Sequence, residues 1–264
     1  MKLNDLLAHY GRVASASTFR DGDEAVRLFG LHHLSGNAES PLTNGDRAPD
    51  IWLRARLSSD GAGAIPALPA GPPVRLASLV LAGPVVLKFF RGRWCPYCTL
   101  ELRAWQRNLE RLRRLGAQIF AISPQSQDET RSTRLRDGLT LPTISDPCNT
   151  VARQFGIAYE LVEEERRLMR SMGIDLARVN AWHDQSDFDA GLPGDAQDAD
   201  LPGTCDGWSL ALPALYVIDG MGRIVYSFVD ADHRNRAEPD NVLAAIAGLR
   251  SGFSRPAPVP GSSW

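Results

Sequence analysis

The segment Cys95-Pro96-Tyr97-Cys98 carries the strongest chemical signal in the sequence. Cysteine reacts as the thiolate, whose formation is favoured at a helix N-terminus and beside Arg or Lys. Both conditions are met. The apolar run Val85-Val86-Leu87-Lys88-Phe89-Phe90 predicts a buried strand. The turn Arg91-Gly92-Arg93-Trp94 follows it and brings two arginines next to Cys95. A helical pattern then begins, with Leu102, Trp105, Leu109 and Leu112 on one face and Arg103, Arg107, Glu110, Arg111 and Arg114 on the other. Cys95 therefore falls at the strand-to-helix turn, and Cys98 falls in the first helical turn among unpaired N–H groups. Pro96 suits the start of the helix, where its missing N–H costs little. Two sulfurs at this spacing close a small ring, which permits a reversible dithiol–disulfide cycle. Two other readings compete. A zinc site would need a second close-spaced ligand pair, whereas Cys148 and Cys205 stand alone. Alternatively, the two cysteines could be buried as small apolar residues. Redox chemistry is the reading adopted, with no metal and no organic cofactor.

Elements on either side must hold this turn in place. Gly116 predicts the end of the long helix. Ala117–Ile122 predicts a second buried strand, a helix follows Asp128, and Leu141–Ile144 predicts a third strand. Asn149–Phe155 and Leu161–Met172 are helix-like. Leu215–Asp219 and Ile224–Phe228 flank a Gly-Met-Gly turn and predict a hairpin, and Glu238–Leu249 predicts a closing helix. Before the core, Leu3, Leu6, Leu7 and Tyr10 share a helical face, and Asp21 and Asp23 could cap a second helix. A linker over 35–46, a strand over Ile51–Leu57 and a Gly/Pro/Ala loop over 61–73 complete this part. Residues 183–206 read as a solvated acidic loop, and 251–264 as a frayed tail. The expected organisation is an N-terminal helical extension over 1–45, one α/β domain over 46–250, and the tail.

Composition excludes several function classes. With 264 residues, 44% of them hydrophobic, and a net charge of −2, the chain has enough apolar content for a sizeable core and no basic footprint for nucleic acid or an anionic membrane. Four cysteines are too few for a disulfide-built scaffold. The N-terminal stretch has no continuous apolar core or small-residue cleavage site, so a secretory signal is not expected. The expected setting is a reducing, cytoplasmic one.

Five segments carry a family resemblance: Gly45–Leu53, Val85–Leu102, Ala121–Glu129, Leu141–Ile157 and Leu212–Ile246. In this order they resemble the peroxiredoxin-like proteins of the alkyl hydroperoxide reductase / thiol-specific antioxidant family. The resemblance implies a thioredoxin-like fold, with a central mixed sheet and helices on both faces. It places Cys98 at the position of the peroxidatic cysteine. The family's Thr or Ser three residues earlier is replaced by Cys95, and the Arg expected just before the 215–219 strand is replaced by Pro213. Two groups that polarise the peroxide O–O bond are thus expected to be missing. A proline there resembles the thioredoxin and glutaredoxin pattern, which implies a cis-Pro213 lying against the cysteines. Cys-Pro-Tyr-Cys matches the glutaredoxin dithiol motif, and Trp94 matches thioredoxins.

Three activities follow from this reading. In the first, the Cys98 thiolate reduces hydrogen peroxide or an organic hydroperoxide, Cys95 closes a Cys95–Cys98 disulfide, and a thioredoxin- or glutathione-type reductant resets it. In the second, Cys95, taken as the more exposed sulfur, attacks a disulfide substrate and Cys98 releases the product. In the third, the chain is a non-enzymatic redox sensor. Trp94, Pro96, Arg91 and Pro213 are the supporting residues. Cys148 and Cys205 read as buried bystanders rather than a resolving relay, and His32, His33, His183 and His233 as surface or satisfied histidines. Family members often form homodimers, though the sequence fixes no interface.

Overall fold

The run Val85–Phe89 forms strand β3, buried along its whole length, and it organises the molecule. In the computed structural model, described over residues 2–17, 40–53, 74–180 and 205–252, it is central to a five-stranded sheet. The other strands are β4 (Gln118–Ser123), β5 (Thr143–Ser145), β8 (Ala214–Ile218) and β9 (Ile224–Val229), in the order β5-β4-β3-β8-β9. β3, β4 and β5 run parallel, while β8 and β9 are antiparallel neighbours. The predicted strand–helix–strand rhythm and the hairpin are both present. The molecule has a thioredoxin-like α/β fold.

Alternation along β3 divides the core in two. Val85, Leu87 and Phe89 face one layer, with Phe120, Ile122, Phe155, Tyr216 and Ile218. Val86 and Phe90 face the other, with Cys95, Cys98, Leu102, Trp105, Leu215, Val217, Val242 and Ile246. Lys88 shares the parity of Val86 and Phe90, so its side chain enters the layer that holds the cysteines. That layer is covered by helix α3 (Pro96–Arg114) and helix α8 (Pro239–Gly252). On α3, Leu102, Trp105 and Leu112 are buried as the helical pattern requires.

Helix α1 (Leu3–Ser17) docks on α3 by burying Leu3 and Leu7 against Ala104, Tyr97 and Leu100. The predicted linker ends in ordered backbone. Gly45 and Ala48 donate to the carbonyls of Ile224 and Gly222, and Ile224 donates back to Asp46.

The remaining helices of the described chain are α2 (Leu76–Val80), α4 (Gln127–Asp137), α5 (Thr150–Gln154), α6 (Glu163–Ser171) and α7 (Leu176–Asn180). The sequence reading missed α2 and α7. It also missed a small antiparallel sheet between β6 (Ala158–Glu160) and β7 (Ser209–Ala211), whose strands are too short to show a period. Of the strand predicted over Ile51–Leu57, Trp52–Leu53 forms β1, paired with β2 (Val74–Arg75). The second N-terminal helix, the 61–73 loop, most of the acidic loop, nearly all of the tail, His32, His33 and His183 lie outside the described residues.

Candidate active site

Strand β3 leads into a four-residue turn that delivers Cys95 as the N-cap of α3, with Pro96 at the first helical position. Gly92 makes that turn possible. Its φ is +147°, and a Cβ there would lie 2.6 Å from Trp94 Nε1. The buried Gln125 fixes the turn from below: its Oε1 accepts from the Arg93 N–H at 2.5 Å, while its Nε2 donates to Thr133 at 3.1 Å. Arg93 also pairs with Glu129 at 2.6 Å.

Cys95 and Cys98 are free thiols, 2% and 1% exposed. Cys95 is therefore not the exposed member of the pair. The N-terminal turn of α3 is roofed by Tyr97, whose ring meets Tyr10 of α1 edge-on at 5.3 Å and His233 at 5.5 Å.

Beneath Cys98 lies a buried charge cluster. Arg236 Nη2 is 3.6 Å from the Cys98 sulfur. Arg236 Nε lies 2.6 Å from Glu101 Oε2, and Lys88 Nζ lies 3.0 Å from the same oxygen; all three side chains are 1% exposed. Lys88 also donates to the carbonyls of Phe89 at 2.8 Å and Ala214 at 3.1 Å. Arg236 is further fixed through the carbonyls of His233 and Asn235.

This setting separates the two thiols. Burial opposes ionisation of Cys98. The hydrogen bond from Cys95, the Arg236 guanidinium, a backbone bond from Arg91 and the charge of Lys88 together outweigh it, holding Cys98 well below the ordinary thiol range. Burial, the bond to Cys98 and the Cys98 charge push Cys95 well above that range. These surroundings favour the thiolate at Cys98 and the thiol at Cys95.

The predicted supporting residues fall out unevenly. Trp94 and Pro96 flank Cys95. Arg91 is buried, with its guanidinium 4.8 Å over the Trp94 ring, and it hydrogen-bonds the buried Tyr159. Pro213 is buried just before β8, but the described chain has no cis peptide bond, so the cis expectation is corrected. Pro213 does stand where the family's Arg was expected, but a different guanidinium, that of Arg236 in the loop before α8, lies 3.6 Å from the Cys98 sulfur, and the sequence reading passed it over. His233 is half-buried against the Tyr97 ring. Burial and the charges of Arg91, Arg236 and Arg234 keep it neutral. Cys148 and Cys205 are not bystanders; they form a disulfide with a Cα–Cα distance of 5.7 Å. Among the described residues, no group of three or more His, Cys, Asp or Glu is arranged to hold a metal ion.

Known proteins with solved structures share this architecture. The peroxidoxin BcpB of Mycobacterium tuberculosis is 19% identical with a TM-score of 0.51, over 79% of this chain and 99% of that one. The reduced 2-Cys peroxiredoxin of Plasmodium vivax is 15% identical with a TM-score of 0.51, over 83% of this chain and 90% of that one. At these identities the likeness establishes the fold. No curated protein sequence matches significantly. Residues 45–227, more than half of the chain and including the whole Cys95–Cys98 turn, match the model of the AhpC/TSA family, and the chain belongs to that family.

Proposed function

We propose that this protein reduces peroxides through a Cys95–Cys98 dithiol–disulfide cycle. The observation that carries this reading is the buried Cys98 sulfur 3.6 Å from the Arg236 guanidinium, a setting that favours its thiolate. The thiolate attacks the terminal oxygen of hydrogen peroxide or an organic hydroperoxide. The O–O bond breaks, Cys98 becomes a sulfenic acid, and water or an alcohol leaves after gaining a proton. Cys95 then attacks the Cys98 sulfur, water departs, and the disulfide closes. A dithiol of the thioredoxin type, or glutathione, returns both sulfurs to the reduced state.

The burial of both sulfurs favours a small substrate. The second reading, in which Cys95 attacks a protein or glutathione disulfide, is supported by the Cys-Pro-Tyr-Cys sequence. Against it, Cys95 is buried, and burial and the neighbouring Cys98 disfavour its thiolate.

Mass spectrometry of the alkylated protein after one equivalent of hydrogen peroxide tests the assignment. The expected product is a Cys95–Cys98 disulfide. Cys95→Ser should accumulate a sulfenic acid on Cys98, and Cys98→Ser should react roughly a thousandfold more slowly. If the reduced protein consumes no peroxide while Cys98→Ser traps a mixed disulfide through Cys95, the second reading replaces the first.

A further inference from the structure

Of the 29 lysine and arginine residues in the chain, two are lysines: Lys2 and Lys88. One of these two stands in the central strand, beside the reactive sulfur. Arginine keeps its proton under all ordinary conditions, whereas a buried lysine can release one.

The charges around it can be counted. Lys88 and Arg236 contribute two positive charges and Glu101 one negative, leaving a net +1 in a cluster buried from solvent. The Cys98 thiolate brings the sum to zero. Around this cluster, Arg91 acts on Tyr159, Cys95 and His233, Glu165 acts on Tyr159, and Asp232 pairs with Arg234 at 2.9 Å. The groups that act on Lys88 are Glu101 and Cys98 from α3 and Arg236 from the loop before α8, together with the Phe89 and Ala214 carbonyls.

Closing the Cys95–Cys98 disulfide removes the anion. One buried positive charge is then left without a partner, a state the low-dielectric interior disfavours strongly. Arg236 cannot discharge it. We infer that Lys88 is a redox-linked proton site, releasing one proton when Cys98 is oxidised and regaining it on reduction. The disulfide with neutral Lys88 then takes up two electrons and two protons, giving the Cys95 thiol, the Cys98 thiolate and the Lys88 ammonium. Without Lys88 the same reduction takes up a single proton, at Cys95. Lys88 thus acts as a positioning residue, keeping the site electrically neutral in both redox states.

This inference rests on the dithiol cycle proposed above, and the test separates the two. The intact protein is equilibrated with reduced and oxidised dithiothreitol between about pH 6 and 8, where that dithiol's own thiols stay largely protonated. The Cys95–Cys98 disulfide is then quantified by alkylation and mass spectrometry. Dithiothreitol releases two protons on oxidation. If the protein takes up both, the exchange constant is independent of pH. If it takes up one, the constant rises tenfold per pH unit. The wild-type protein is expected to show no pH dependence, and Lys88→Arg, which keeps the charge but cannot release the proton, is expected to show the tenfold rise. A tenfold rise in the wild type overturns the inference, whatever the variants do. A flat response in both wild type and Lys88→Arg also overturns it, by assigning the proton to another group. Failure to form the disulfide at any dithiol ratio overturns the dithiol cycle itself, and this inference with it.

Discussion

The molecule holds two cysteine pairs in opposite states. Cys95 and Cys98 are three residues apart and remain thiols, while Cys148 and Cys205 are 57 apart and form a disulfide. Proximity in the chain therefore does not decide which pair is bonded. The surroundings differ in kind. The first pair lies at the start of a 19-residue helix, over two cations that favour a thiolate and that one carboxylate only partly offsets. The second joins two connecting segments. Cys148 lies in the turn between β5 and α5, where it and Asn149 both adopt a left-handed φ of +56°, and Cys205 lies shortly before β7. The first pair keeps its sulfurs reduced beside a buried charge cluster, whereas the second ties the chain together. Non-glycine residues in the left-handed region cost about 1–2 kcal/mol each. The Cys148 turn is held in that conformation by Asp146, which accepts from the Val151 and Ala152 N–H groups at 2.8 and 3.0 Å, and by Asn149, which donates to Ser209 at 2.8 Å.

This contrast predicts that the two pairs separate stability from activity. Closing a loop of this length stabilises the fold by about 4 kcal/mol through the restricted unfolded chain. The double variant Cys148→Ala/Cys205→Ala should lose most of that in a denaturant titration under oxidising conditions, and its peroxide rate constant should stay within about twofold of wild type. A large rate loss with little loss of stability would make the second pair part of the catalytic cycle and erase the distinction.

The two pairs also differed in how much the sequence revealed. The turn carrying Cys95 and Cys98 could be read from local rules. An apolar run specified the strand, Pro96 marked the first helical turn, and the spacing of Leu102, Trp105 and Leu112 gave the helix face. Arg236 is 138 residues from Cys98, and no local rule connects them. Lys88 did leave a signal, as a rare lysine inside an otherwise apolar strand, but its meaning depends on Glu101 and Arg236 converging on it. The Cys148–Cys205 bond was hidden for the same reason as the β6–β7 sheet: both join short, aperiodic segments far apart in the chain. Pro213 shows the opposite failure, since a pattern borrowed from related folds predicted a cis bond that the backbone does not contain.

The claim that the first pair is set by its cations can be challenged at Arg236. An opposite charge at this range lowers an acid's pKa by roughly 1–3 units. If Cys98 is the attacking sulfur, as proposed, the wild-type peroxide rate should be lost as pH falls through its depressed pKa. Arg236→Met should move this inflection upward by about 1–2 pH units, which is a 10–100-fold slower reaction below both inflections. The rates of variant and wild type should converge as pH rises if Arg236 acts only through the sulfur. A pH-independent deficit would show that the guanidinium also acts on the peroxide. A profile identical to wild type would show that Lys88 and the Cys95 hydrogen bond suffice.

The smallest expected effect concerns how each pair is tied to its surroundings. The second pair is itself a covalent tie. The first is covered by α1, which is held without one. Glu238 accepts from the Leu3 and Asn4 N–H groups at 3.1 and 2.6 Å, and the Asn4 side chain donates to the Arg236 carbonyl at 3.1 Å. Glu238 thus serves as a helix N-terminal cap supplied from the loop that carries Arg236. Losing such a cap costs about 1 kcal/mol. Glu238→Ala should therefore raise the local opening of α1 about fivefold, read as faster amide exchange over residues 3–11 with exchange around Cys148 unchanged. Because α1 roofs the first helical turn through Tyr10 and Tyr97, that loosening should also speed alkylation of the cysteines by a bulky maleimide more than by iodoacetamide. If both reagents react at the wild-type rate while α1 exchanges faster, α1 is not what shields the sulfurs. The shielding would then lie with Tyr97 and His233 alone.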